Sequence, residues 1–128
     1  MDLLSLQERI AHVIYYSETD SPFTLETLQS KSPDTVAAEI ARKNDVDVSK
    51  LKQVDVTVFF QQIQDTADPN DAAVVANAQK IATLYNFLKS SFSGLSVYRV
   101  ENGVRIPIYI ICFSENACIA LKTLSIES

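Results

Sequence analysis

Residues 95–126 read LSVYRVENGVRIPIYIICFSENACIALKTLSI and predict three consecutive β-strands. The stretch is rich in β-branched and aromatic residues, which suit the pleated surface of a sheet. We expect the strands at Leu95–Glu101, Val104–Phe113 and Ala117–Ile126. Because short turns join them, the strands should pair antiparallel and form a C-terminal meander.

Two short segments connect these strands. Asn102-Gly103 is typical of a tight hairpin in which both turn residues take positive φ, and Ser114–Asn116 predicts the second turn. Pro107 interrupts the middle strand, because proline has no backbone N–H to donate to a ladder. We therefore expect an edge position or a bulge at Pro107.

Two apolar stripes predict helices at the start and in the middle of the chain. The first helix is expected from Leu3 to about Ser17, and the second from Asp71 to about Phe92. The first stripe is made of Leu3, Leu6, Ile10, Val13 and Ile14. The second is made of Val74, Val75, Ala78, Ile81, Ala82, Tyr85 and Leu88. Asp71 suits the positive N-terminal end of the second helix.

The region between these helices predicts shorter elements. Ser32 and Asp55 should cap two of them, because each precedes a helical pattern. The expected elements are a turn at Ser17–Pro22, a strand at Phe23–Leu28, a helix from Pro33 to about Lys43, and a short helix carrying Phe59, Phe60 and Ile63. Val46–Val54 is compatible with a strand or an irregular link, and Asp65–Asn70 predicts a polar loop.

The length and composition indicate one folded domain. The chain has 128 residues, 47% of them hydrophobic and 21% charged, which is enough apolar material for one ordinary core. Helices followed by a meander predict an α+β fold in which the helices cover the sheet. We expect residues 1–128 to form a single domain.

The charge and the apolar segments exclude several classes of function. A formal net charge of −5 disfavours binding to a phosphate backbone and suits a basic partner. No apolar run is long enough to span a bilayer, and the N-terminus does not resemble a secretory signal. Two cysteines cannot build a disulfide framework, so the expected location is the cytoplasm.

Residues that could carry chemistry are few. His12 is the single histidine and is expected to be a structural or surface residue within the first helix. Cys112 and Cys118 flank a turn and are expected to be buried thiols rather than a redox or metal pair. The acidic residues Glu18, Asp20, Asp65, Asp68 and Asp71 fit solvated loops, turns and a helix start. No nucleophile and base stand out, so we expect no enzymatic activity and no cofactor.

Three blocks of sequence carry a resemblance to a known family. The first is SETDSPF at residues 17–23, and the second is VDVTVFF at residues 54–60. The third begins with AVVA at residues 73–76 and continues through VYR at residues 97–99 to the last strand. In their order and spacing these blocks resemble the bacterial nuclease A inhibitor family, and the similarity covers most of the chain.

The resemblance implies a fold and a partner. The fold would be a three-layer α/β/α sandwich of the PR-1-like class, with the antiparallel meander at its C-terminal end. The function would be inhibition of a sugar-non-specific DNA/RNA nuclease of the ββα-metal type. The inhibitor would block the nuclease active site without binding nucleic acid.

The resemblance also implies contact residues. Glu18 matches the acidic residue that enters the nuclease cleft. Ser128 matches a C-terminal threonine whose hydroxyl and carboxylate reach the catalytic Mg²⁺, so Ser128 would become a metal ligand only in the complex. The flanking acidic residues Asp20 and Glu127 are expected to contact the nuclease as well.

The chain departs from the family pattern at several positions. Ser128 lacks the threonine methyl, and Cys112 and Ala120 stand where glycine is usual. Asp68-Pro69-Asn70 replaces an aromatic residue before the long helix, which removes a potential interface anchor. The alternative hypothesis is therefore a non-enzymatic interaction module of the same fold with a different partner.

Overall fold

An α+β fold is formed by residues 3–115 and 117–128, which the computed structural model describes. In chain order, its helices are α1 (Leu3–Ile10), α2 (Pro33–Lys43), α3 (Val56–Thr66) and α4 (Ala72–Ser91). Its strands are β1 (Ile14–Tyr16), β2 (Asp20–Pro22), β3 (Thr24–Leu28), β4 (Leu51–Val54), β5 (Gly94–Val100), β6 (Arg105–Ser114) and β7 (Ala117–Ile126). None of the helices in these two ranges is both long and apolar enough to cross a membrane.

The main sheet has five strands in the order β3-β7-β6-β5-β4. All its neighbouring strands are antiparallel, and β6 pairs with β7 from Arg105 opposite Ile126 to Ser114 opposite Ala117. The predicted C-terminal meander is therefore confirmed. The early strand β3 pairs with β7, which places the N-terminal third of the chain beside the C-terminus. β1 and β2 form a separate hairpin.

Alternate residues of β6 belong to two apolar clusters on opposite faces of the main sheet. Ile108, Ile110 and Cys112 belong to an apolar cluster that includes buried residues of α1, α3 and α4. Tyr109, Ile111 and Phe113 belong to a second cluster, which includes Val36 and Ile40 of α2. Successive side chains of a strand point to opposite faces, so an unbroken apolar strand needs cover on both sides.

The first helix is shorter than predicted. It ends at Ile10 rather than near Ser17, and His12 follows it with φ of 66°. This left-handed conformation is incompatible with a continuing α-helix. The next residues form β1, and the Asn77 side chain binds both backbone polar groups of Ile14, at 2.8 Å from the N–H and 2.7 Å from the C=O. The prediction that His12 lies within the helix was wrong.

The expectation of an edge position or a bulge at Pro107 holds only locally, on the β5 side of this residue. β6 is the central strand, and its register with β7 continues through Pro107 opposite Leu124. Pairing with β5, however, stops at Arg99 opposite Ile108. Pro107 is therefore paired with β7 but has no partner on β5. A proline is tolerated at such a position, because it lacks the N–H that a partner on both sides would require.

The connections around β6 agree with the predicted turns only in part. Gly103 has φ of 115°, but Asn102 is not among the described residues with positive φ. The β5–β6 hairpin is real, but the turn is wider than the predicted two residues because the ladder ends at Arg99. Glu115 lies in the following turn. Asn116, which completes the predicted turn, lies outside the described residues.

The middle of the chain resolves what the sequence left open. Val46–Val54 contains a 3-10 helix at Val48–Lys50 followed by β4. The predicted loop begins later than Asp65, because α3 runs to Thr66 and Asp65 accepts a hydrogen bond from Gln61 within the helix. The predicted turn at Ser17–Pro22 is shorter, since β2 occupies its second half.

Two of the three predicted helix starts have a side-chain cap. The Asp55 carboxylate accepts from the Val58 N–H, and Asp71 accepts from the N–H groups of Ala73 and Val74. Ser32 occupies the N-cap position of α2, but its hydroxyl makes no cap hydrogen bond. The sequence thus predicted the position of Ser32 correctly but not its contact.

Replacement of Asp71 by alanine is expected to lower the free energy of unfolding by about 1 kcal/mol, because two N–H groups of α4 lose their acceptor. Chemical denaturation measures this change. The matched control is Ser32→Ala, which removes a hydroxyl from an N-cap position without removing a cap bond and should change little. Equal losses in the two variants would contradict the assigned role of the Asp71 carboxylate.

Candidate functional site

The tip of the β1–β2 hairpin docks on the last strand of the main sheet. The tip is closed by Ser17, whose N–H donates to the Thr19 C=O at 3.0 Å. The Ser17 hydroxyl also accepts from the Ile126 N–H at 3.0 Å, and the Glu18 N–H donates to the Ile126 C=O at 3.3 Å. These bonds fix Glu18 beside the end of β7.

Glu18 and Ser128 contact each other directly, although 110 positions separate them. The Ser128 N–H donates to Oε2 of Glu18 at 2.6 Å, and the Ser128 hydroxyl donates to Oε1 at 2.7 Å. Both residues are exposed. The hydrogen bond from the Ser128 hydroxyl, followed by that from its N–H, lowers the pKa of Glu18 because both favour the ionised carboxylate.

Acidification is expected to break the Glu18–Ser128 contact only below the pKa of an ordinary glutamate. The contact uses the ionised carboxylate, so it is complete above that pKa and is lost as the pH falls through the lowered pKa of folded Glu18. A carbon NMR titration of the Glu18 carboxyl group measures the midpoint. Ser128→Ala should raise the midpoint, whereas Asp20→Asn should leave it low. A midpoint unchanged by Ser128→Ala would exclude the hydroxyl as the cause.

Glu127 is held by side chains of β5 and β7. Its Oε1 accepts from Nη2 of Arg99 at 2.6 Å, and its Oε2 accepts from the Ser125 hydroxyl at 2.6 Å. The hydrogen bond from Arg99 is the main reason that the pKa of Glu127 is lowered. Nε of Arg99 also donates to Glu101 at 2.9 Å, so one guanidinium joins two carboxylates.

Asp20 lies on the other arm of the hairpin that carries Glu18. It is exposed at the start of β2, opposite Tyr16. In the described ranges, its carboxylate makes no hydrogen bond or ion pair. The structure therefore brings Glu18, Ser128 and Glu127 to one end of the sheet, with Asp20 nearby in the same hairpin but unengaged.

Sequence reasoning missed two features next to this site. Arg99 was noted only as part of a motif, and nothing in its local pattern revealed that it would reach Glu127. A cleft of about 730 Å³ also lies between β1, β4, α3 and α4. Its lining includes Tyr15, Lys52, Val58, Phe59, Ile81 and Arg99. Arg99 thus borders both the cleft and the chain end.

The other chemical candidates are not brought together. Cys112 and Cys118 are buried free thiols, but they belong to the clusters on opposite faces of the sheet and cannot pair. Burial raises the pKa of Cys112 to about 12, which suppresses the reactive thiolate. Asp68 accepts from the Asn70 N–H in a turn, as predicted. Within residues 3–115 and 117–128, no three His, Cys, Asp or Glu residues form a metal-binding group.

A comparison with models of known protein families agrees with the resemblance in the sequence. The family model described as "Nuclease A inhibitor-like protein" matches residues 3–128, which is nearly the whole chain. A comparison with curated proteins gave no match. Because the family match runs from the first helix to Ser128, it includes the hairpin tip, Arg99 and the chain end. The chain belongs to the nuclease A inhibitor-like protein family.

Proposed function

We propose that this protein inhibits a sugar-non-specific DNA/RNA nuclease of the ββα-metal type by occupying its active site. The family match indicates a nuclease as the partner. The observation that carries the rest is the contact between Glu18 and Ser128, at 2.6 Å and 2.7 Å, which joins the two expected contact residues on one exposed surface. Because they are bound to each other, Glu18 and Ser128 can enter a nuclease cleft together.

The proposed metal contact is chemically consistent with the geometry of Ser128. Its hydroxyl hydrogen is directed to Glu18, which leaves the oxygen lone pairs available for a cation. Mg²⁺ prefers hard oxygen ligands and retains waters that an incoming oxygen can replace. A carboxylate that accepts from a metal ligand orients that ligand and strengthens its donation. In the proposed complex, Glu18 would hold the Ser128 hydroxyl in place against the metal of the nuclease.

Charge supports the encounter of the two proteins. A nuclease cleft that receives phosphate presents cations, whereas this protein has a formal net charge of −5 and exposes Glu18 and Asp20 beside Ser128. Such complementarity raises the association rate more than the final affinity. We include Asp20 and Glu127 with Glu18 and Ser128 in the proposed contact surface.

The proposal extends to the architecture. A single domain of residues 1–128 with three α/β/α layers of the PR-1-like class is supported by the two apolar clusters on opposite faces of the sheet. It is also supported by the pairing of early strand β3 with β7. A cytoplasmic location is part of the same proposal, because both cysteines are free thiols.

The test is titration of purified protein against a panel of Mg²⁺-dependent, sugar-non-specific nucleases of the ββα-metal type. Stoichiometric loss of cleavage is expected with at least one of them, at an equivalence point of about one to one. A metal-independent ribonuclease serves as the control and should stay active. Full activity of every nuclease at excess protein would contradict the proposal and favour an interaction module with another partner.

A further inference from the structure

The last residue of β7 and the two residues after it are each hydrogen-bonded to other parts of the protein. The Ile126 N–H donates to the Ser17 hydroxyl at 3.0 Å, and the Glu127 N–H donates to the Val104 C=O at 2.9 Å. The Ser128 N–H donates to Glu18 at 2.6 Å. A terminal segment is usually mobile unless it is tied down in this way. The backbone of residues 126–128 is therefore held in one position on the rest of the protein.

Arg99 holds the Glu127 side chain of this segment. It lies on β5, and its guanidinium reaches across β6 to Glu127 at 2.6 Å. The Arg99 side chain is only 18% exposed, whereas that of Glu127 is 44% exposed. The covered arginine is therefore the fixed member of the pair. Glu101 accepts from Nε of Arg99 at 2.9 Å and holds the guanidinium from the other side.

Glu127 is poorly suited to act as a free anion toward a partner. Both its carboxylate oxygens already accept hydrogen bonds, one from Arg99 and one from Ser125. Glu127 lies between Ile126 and Ser128, so anchoring its side chain restricts the backbone that leads to Ser128. The carboxylate of Glu127 is thus bound to its own chain, while residue Ser128 is exposed.

We propose that Arg99 is a positioning residue. It fixes Glu127 and thereby holds Ser128 in the conformation that binds the nuclease. The inference rests on the proposed function. It adds a positioning role for Glu127 to the place of this residue in the proposed contact surface. Rigid presentation saves the cost of ordering side chains on binding, which corresponds to about a tenfold gain in affinity for one fixed side chain.

The first experiment needs only the free protein. Hydrogen exchange of the backbone amides at positions 127 and 128 is measured by NMR in Arg99→Gln, in Glu127→Ala, which removes the acceptor, and in the double variant. Exchange should become about tenfold faster in each single variant. The double variant should exchange at the same rate as the single variants, because the two residues act as a pair. The control Glu101→Gln touches the same guanidinium but keeps an acceptor, so exchange should not change. Unchanged exchange in Arg99→Gln would overturn the inference.

The second experiment separates positioning from a general structural role. The affinity for the inhibited nuclease is measured for Arg99→Gln in the full chain and in a chain without Ser128. A weakening of about tenfold is expected only in the full chain, and Arg99→Lys should recover part of it. Equal weakening in both backgrounds would show that Arg99 does not act through Ser128. If wild-type protein inhibited no nuclease, the proposed function would fail, while the exchange experiment would still decide whether Arg99 fixes the segment.

Discussion

Deletion of Ser128 is expected to weaken inhibition of the cognate nuclease by at least about 30-fold. The proposal assigns to this residue the oxygens that approach Mg²⁺, and its loss also leaves the Glu18 carboxylate without its two donors. In the proposed complex the contact between Ser128 and Mg²⁺ is buried. Removal of one partner from a buried charged contact in an interface costs about 2–5 kcal/mol, and every 1.4 kcal/mol is a factor of ten in affinity. The inhibition constant of the truncated protein at fixed Mg²⁺ concentration measures the effect.

Three matched variants identify which part of Ser128 acts. Ser128→Thr keeps the hydroxyl and should inhibit as wild type does. Ser128→Ala keeps the terminal carboxylate but loses the hydroxyl, so an intermediate loss of about tenfold is expected. A glycine added after Ser128 displaces the carboxylate and should weaken inhibition strongly. Full inhibition by the extended protein would show that the chain end does not reach the metal.

The elements that could be predicted from the sequence are those with a local physical cause. The regular apolar stripe before Leu88 predicted α4, since a helix period can be read directly from the chain. The same holds for the strand character of residues 95–126 and for the start of α2 at Pro33. Asp71 was predictable as a helix-start residue because a cap depends on residues only two and three positions away.

The elements that could not be predicted depend on residues far apart in sequence. α1 stops at Ile10 although apolar spacing continues to Ile14, because Asn77 supplies backbone partners to Ile14 from 63 positions away. Pro107 is tolerated in the central strand because pairing with β5 ends at Arg99. Neither the end of α1 nor the tolerance of Pro107 can be predicted from the neighbouring residues in the sequence.

The candidate site shows the same division. Glu18 and Ser128 were singled out through the family resemblance, and no local pattern predicted that their side chains would bind each other. On the sequence alone, Glu18 fitted a solvated loop as well as a contact residue. Arg99 was missed because its importance lies in reaching Glu127 across β6, which requires the strand order. Long-range side-chain contacts are therefore where the structure adds most to the sequence.

The strand order also leads to a prediction with a large effect on stability. Ile110→Ala and Ile111→Ala are each expected to lower the free energy of unfolding by about 2–5 kcal/mol, because each removes a buried side chain and leaves a cavity. Both residues are 0% exposed, and they belong to the clusters on opposite faces of β6. Denaturant unfolding, with m-values compared, measures each change.

The pair tests whether both faces of the sheet are covered, which one substitution alone could not do. In a sheet with one solvated face, adjacent residues of a strand differ sharply in cost, because only one of them leaves a cavity. The control Val104→Ala lies in the connection before β6 and is 53% exposed, so a change within about 0.5 kcal/mol is expected. If Ile111→Ala cost no more than Val104→Ala, α2 would not seal its face of the sheet. The proposed α/β/α layering would then be wrong, even though the C-terminal meander and the Glu18–Ser128 contact on its end could remain.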